Sequence, residues 1–419
     1  MLLKSIKIFD KQSKYHLQTV DILIESGVVK EIGGQLKAPS KVKEFQKDSW
    51  CISPSWVDAN FHVFEPGNEY REDFKSGLQA AAGAGFGYLA VMPNTNPPVD
   101  NSSRLAFAQQ AAKSMLSDIV QLGAVSQGIS GKDIAELYDM HQQGAIAFTD
   151  GSESIQDAGL MERALWYVKK FDGLIMNSPD DKNISLKGQM NEGINSTRLG
   201  LSAAPKLAEE LMVARDLYLL EHTGSRLHFT TLSTAQSVEL VRKAKKKGLK
   251  VTAGVNVANL FFKDEQLLTY DTNFKVKPHL REEEDVKALL KGLKDGTIDV
   301  INSGHMPLHQ DDKKVEFDHA EFGMSTIDCT FEAARTATNK VLSEVELIEK
   351  FTNTYSILTM PRPKIEIGQK ADFTLFNLDS KSVFKEEDIL SKGKNNPFID
   401  NDLQGLVYGL IKGAKTNMV

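Results

Sequence analysis

Cysteine, excess positive charge and long apolar runs are all missing from this 419-residue chain, and each shortage removes a class of protein. The two cysteines, Cys51 and Cys329, lie far apart and fit neither a disulfide framework nor a Cys-x-x-Cys metal motif. They read as small buried apolar residues. Lys and Arg (50) are outnumbered by Asp and Glu (56), and the net charge of −6 argues against nucleic acid or an acidic membrane surface as partner. No apolar run approaches the roughly 20 residues that span a bilayer. The N-terminus, Met1-Leu2-Leu3-Lys4-Ser5-Ile6-Lys7, lacks a signal-peptide core. The expectation is a cytoplasmic protein with no membrane attachment. With 41% apolar and 25% charged residues and no repeat or low-complexity tract, the chain has material for one large domain and a smaller one.

The ends of the chain read as strands. Alternating apolar segments at 2–9, 20–25 and 28–32, the last two separated by Ser26-Gly27, predict a small β unit, and 367–376 adds a turn and a strand. Between them buried-strand patterns recur at 88–92, 119–123, 145–148, 173–176, 227–231, 250–254 and 300–303. Helical patterns at 76–83, 161–170, 235–247 and 282–293 separate many of them. Repeated βα alternation over about 300 residues predicts an α/β fold, a (β/α)8 TIM barrel over 53–362. Residues 1–52 and 363–419 are expected to form one composite β domain from both termini. Functional groups should then gather where barrel strands end.

One such strand end is Asp58-Ala59-Asn60-Phe61-His62-Val63-Phe64-Glu65-Pro66-Gly67. Positions i and i+2 of a strand share a face, so 60 and 62 can point at one site. Further along come Met92-Pro93-Asn94-Thr95-Asn96-Pro97, Ala147-Phe148-Thr149-Asp150-Gly151, Ala208-Glu209-Glu210, Val213-Ala214-Arg215-Asp216, Leu232-Ser233-Thr234, Lys275-Val276-Lys277-Pro278-His279-Leu280-Arg281 and Asp295-Gly296-Thr297-Ile298-Asp299. In this order and spacing they resemble the dihydroorotase family of the amidohydrolase superfamily, nearly end to end. The resemblance implies pyrimidine biosynthesis, hydrolysis of a cyclic amide C–N bond and zinc as the metal of active members.

Carried over residue by residue, that implication breaks at the chemistry. The family's paired histidines fall on Asn60 and His62, and a further metal-binding Asp on Asp150. The next histidine falls on Asn177, another on Thr231, and the catalytic Asp on Gly304. His62 and Asp150 are the remnants, whereas catalytic zinc uses three protein ligands plus water. Zinc lowers the pKa of its water from about 15.7 to about 7. A positioned acid/base adds about 10²–10⁴-fold. On the substrate side the family's carboxylate-clamping Arg falls on Phe64, and paired histidines fall on Ala258 and Asn259. Asn94, Lys277 and His305 stay as candidate substrate-binding residues. Asn94 also reads as a turn cap and His305 as a hydrogen-bonded structural histidine. His279 could line the mouth, and strand alternation turns His228 away from Thr231.

The lost ligand positions lead to the expectation of a catalytically inactive dihydroorotase-like protein without a cofactor, and the resemblance implies a structural partner of aspartate transcarbamoylase and a homo-oligomer. Two alternatives stand beside it. One is an active cyclic-amide hydrolase with a mononuclear or non-standard zinc site. The other is a small-molecule binding protein using the old pocket.

Overall fold

The structure is a computed structural model that describes residues 1–40 and 42–418. Eight parallel strands form the expected barrel: Trp56–Phe61, Phe86–Val91, Asp118–Gln121, Ala147–Phe148, Leu174–Asn177, Leu227–Phe229, Val251–Asn256 and Val300–Asn302. The first three pair in sequence and the last five pair in sequence. Single parallel bridges, Gly123 to Phe148 and Phe61 to His305, join the two groups into a closed ring. Such strands are covered on both faces, so they read as near-continuous apolar runs such as Phe86-Gly87-Tyr88-Leu89-Ala90-Val91 rather than as alternation.

Helices return the chain between strands. Phe74–Gly83 starts at Asp73, whose side chain accepts from the Ser76 backbone N–H, a capping box that meets the orphan donors of the first turn. Thr234 caps Ala235–Lys246, where the lysine-rich end lies against the negative pole of the helix dipole. Under the barrel, Trp56 stacks on Phe331 and Phe351 at centroid distances of 4.8 and 5.0 Å. These rings are fully buried.

Both termini contribute to one eight-stranded sheet. Leu2–Ile8 runs parallel to Trp50–Pro54, which pairs antiparallel with Asp372–Val383, which in turn pairs with Asp402–Lys412. Its core is Leu3, Ile6, Ile8, Ile22, Ile52, Phe373, Leu375 and Ile411. Among the described residues no helix is long and apolar enough to cross a membrane. Cys51 and Cys329 are both buried and unpaired.

Candidate functional site

A cavity of about 90 Å³ lies at the barrel mouth. Its floor is built from strand ends. Asn60 is the penultimate residue of the first strand and His62 follows it, Thr231 follows the sixth, Asn256 closes the seventh, and Ser303-Gly304 follows the eighth. Asp58 anchors this floor: its carboxylate accepts from the Ser303 backbone N–H at 3.0 Å and from the Ser303 hydroxyl. Burial pushes the Asp58 carboxyl above its usual range, against these donors.

The floor is uncharged where the resemblance places metal ligands. Asn60 Nδ2 donates to Asn256 Oδ1 at 3.1 Å. Asn256 also closes the space beside Gly304, which has a φ of +64°, in the left-handed region. A Cβ on residue 304 would lie 2.6 Å from Asn256 Cγ and 2.7 Å from its Nδ2. A side chain at residue 304 would therefore meet backbone strain and require Asn256 to move. His62 is 6% exposed, and burial, helped by nearby His305, pushes its imidazole down to about 4, so the ring is neutral. Thr231 Oγ1 is buried and has no hydrogen-bond partner among the described residues.

Other residues anticipated from the sequence are not brought to this floor. Asp150 is 2% exposed and lies outside the cavity lining. Its Oδ1 accepts from the Val125 and Ser126 backbone N–H groups, both at 2.9 Å, and its Oδ2 from the Ser126 hydroxyl at 2.6 Å. It pins a loop rather than sharing a site with His62. Asn177 is turned into a buried chain: its Oδ1 accepts from Ile155 N at 3.2 Å, and its Nδ2 donates to Asp216 Oδ2 at 2.7 Å. Arg215 grips the other oxygen of Asp216 with Nε at 2.9 Å and Nη2 at 2.7 Å.

Asn94, anticipated as a ligand contact, instead brackets residues 150–152. Its Nδ2 donates to Asp150 O at 3.0 Å, and its Oδ1 accepts from Ser152 N at 3.3 Å. Gly151 is required beneath it, because a Cβ there would meet Asn94 Oδ1 at 1.6 Å. His305, also anticipated at the ligand, is fully buried and outside the lining. Its Nδ1 lies 3.2 and 3.3 Å from the Thr326 and Ile327 backbone N–H groups, and its ring stacks on Phe61 at 4.8 Å. Accepting both bonds puts the proton on Nε2, which faces Glu72 at 3.8 Å. Lys277 does line the cavity, half-exposed, with Nζ 3.2 Å from Asp180 Oδ2. His279 lines it too, and burial drives its imidazole well below the usual range. His228 is buried elsewhere, its Nδ1 2.8 Å from Thr252 Oγ1.

The sequence reading gave no role to Asn256, Glu209 or Arg281, all of which line the cavity. Glu209 Oε1 accepts from the Ser233 and Thr234 backbone N–H groups at 2.9 and 3.0 Å, and Oε2 from the Ser233 hydroxyl. Arg281 donates to Ser233 Oγ at 2.9 Å and Asn191 Oδ1 at 2.8 Å, with Nη2 3.7 Å from Glu209. Asn256 was visible as an amide at a barrel-strand terminus, the position where mouth residues arise. Among the described residues no three His, Cys, Asp or Glu side chains converge as a metal-ligand group.

A closed parallel barrel, a sheet domain from both termini and a cavity at the strand ends make an amidohydrolase-type TIM-barrel fold. Solved structures share this fold: L-hydantoinase (dihydropyrimidinase) from Arthrobacter aurescens matches with a TM-score of 0.87 at 19% identity, over 99% of this chain and 95% of that one. Dihydropyrimidinase from Brevibacillus agri NCHU1002 matches with a TM-score of 0.84 at 17% identity, over 100% and 94%. Residues 50–237 match the family model described as dihydro-orotase-like. A dihydroorotase from Thermoanaerobacter sp. (strain X514) is 38% identical over 93% of this chain and 91% of the relative. One from Pelotomaculum thermopropionicum is 37% identical over 96% and 95%. The chain belongs to the dihydroorotase family.

Proposed function

We propose that this chain is a dihydroorotase-family protein of pyrimidine biosynthesis that keeps the pocket but not the hydrolytic centre, and acts as a structural partner. One observation carries the reading: the Asn256 amide lies within 2.7 Å of where a Cβ on residue 304 would stand, and Gly304 sits at positive φ. The donor set points the same way. Catalytic zinc is held by three protein nitrogen, sulfur or carboxylate ligands with an open fourth position. Around His62 the floor offers two amides, two hydroxyls and a glycine, and Asp150 spends its oxygens on Val125 and Ser126. Neutral amide oxygens compete poorly with imidazole for this metal. These residues do not fit a catalytic zinc, so no hydrolytic step is assigned to them.

The partner expected from the resemblance is aspartate transcarbamoylase. Light scattering of the mixed proteins tests it: a co-migrating complex at micromolar concentration supports the role, and two unshifted species oppose it. A second reading is favoured by the names of the relatives at 36–38% identity, an active dihydroorotase with a non-standard or mononuclear site. Ring opening of dihydroorotate, and ring closure of carbamoyl-aspartate, by the purified chain with added zinc separates the two. Rates at the uncatalysed background support the first; enzymatic turnover supports the second.

A further inference from the structure

The outer wall of the barrel carries apolar surface that the fold itself does not use. The helix Leu207–Thr223 buries Ala208, Met212, Val213, Leu217 and Leu220, the inward stripe of a wall helix. Its opposite side should then be polar. Instead Leu207, Leu211 and Tyr218 stand out from it at 53%, 47% and 75% exposure. With Ala214 and His222 they follow one another at steps of three or four residues, which sets them on one side of the helix over roughly 22 Å. The neighbouring helix Ala158–Lys169 widens this face: Trp166, 44% exposed, meets the His222 ring edge-on at 6.0 Å. Leu207, Leu211, Tyr218 and Trp166 together expose on the order of 500 Å², the size of patch that marks an interaction site on a soluble chain. A standard interface buries roughly 800 Å² on each side, about 60% of it apolar, so this patch supplies the apolar share of one side.

We propose that a second copy of this chain covers the face, packing Leu207–Thr223 antiparallel on its own counterpart across a two-fold axis at Ala214. Charge selects this partner and this direction. At the mouth end of the stripe stand Glu210 and Asp181, whose backbone N–H donates to Ala208 O at 3.0 Å. The lysines near them are already paired, Lys206 with Glu282 and Asp285 and Lys182 with Glu153. At the floor end stand Lys169, whose Nζ donates to Thr223 O, and Lys170, while Glu221 is paired with Lys247. The face is thus acidic towards the mouth and basic towards the floor. A two-fold axis across it lays acidic end on basic end and opposes the two helix dipoles, whereas a parallel arrangement would set like on like. The same axis brings Glu210 of one copy beside Tyr218 of the partner subunit. Ala214 at the crossing is small enough for the helix axes to approach to roughly 8–10 Å. Both mouths stay open and face opposite ways, so the joint holds whether or not the mouth is catalytic.

Analytical ultracentrifugation of the full chain at micromolar concentration tests the proposal. A dimer is expected, and Leu211→Glu with Tyr218→Glu should weaken it by at least about 100-fold, because four carboxylates then meet at one apolar joint. Both side chains stand in solvent in the single chain, so the circular dichroism of the variant should match the parent. Ala214→Cys should cross-link to its counterpart under mild oxidation, while Phe107→Cys, equally a surface residue but on another helix, should not; Cys51 and Cys329 are buried. A tetramer that the double substitution splits into halves supports the proposal equally. A monomer at about 100 μM, an assembly that the folded double variant leaves intact, or Ala214→Cys that cross-links no faster than Phe107→Cys would each overturn it. So would a monomeric chain whose Tyr218 face is covered only by a different protein.

Discussion

The centre of the barrel mouth and its rim answer the same problem, a polar group buried at a strand end, in opposite ways. At the rim, carboxylates are kept and saturated: Glu209 takes two backbone N–H groups and a hydroxyl, and Asp150 does the same. At the centre, charge has gone, leaving Asn60, Thr231, Asn256 and Gly304 around a single neutral imidazole. Buried carboxylates survive where protein donors can satisfy them. Where a cation would have been needed, neutral side chains stand.

That contrast can be broken from either side. The largest effect should come from Glu209→Leu, which leaves Arg281 buried beside an apolar chain. Removing one partner of a buried ion pair costs on the order of 3–5 kcal/mol, measured as a fall in the denaturation midpoint. Gly304→Asp comes next. It forces a non-glycine residue into positive φ and against Asn256, at a combined cost of about 2–4 kcal/mol. Returning the carboxylate alone should also leave turnover at background in the dihydroorotate assay, and a gain of activity would refute the role given to Asn256. Asp150→Ala strands two N–H groups and a hydroxyl, for about 1.5–3 kcal/mol in chemical denaturation. Smallest is Thr231→Val. Its buried hydroxyl has no protein partner among the described residues, so stability should hold or rise, by up to about 1 kcal/mol, by the same measure. A centre as sensitive as the rim would erase the distinction.

The fold was legible because its signals are local. The apolar run read at 88–92 is the strand Phe86–Val91, and the pattern at 235–247 is the helix Ala235–Lys246. The strand Asp402–Lys412 was missed because Gly405 and Gly409, at φ +101° and +129°, interrupt the alternation and accompany shifts of register against Asp372–Val383. Trp50–Pro54 was missed too; it is buried along its whole length, so it carries no two-residue period. At the site, motif order located Asn60, His62, Thr231 and Gly304, which the structure brings to one cavity. Motifs could not show pairings between distant strands. The contact of Asn256 with Gly304, the loop held by Asp150 and the inward turn of His305 onto Phe61 all depend on the closed barrel.

The central claim is that the middle of this mouth has no ligand set for zinc. The most direct test is elemental analysis of the full chain purified from zinc-replete medium without chelator. The account predicts zinc far below stoichiometric; a stoichiometric metal that is lost on His62→Ala would contradict it.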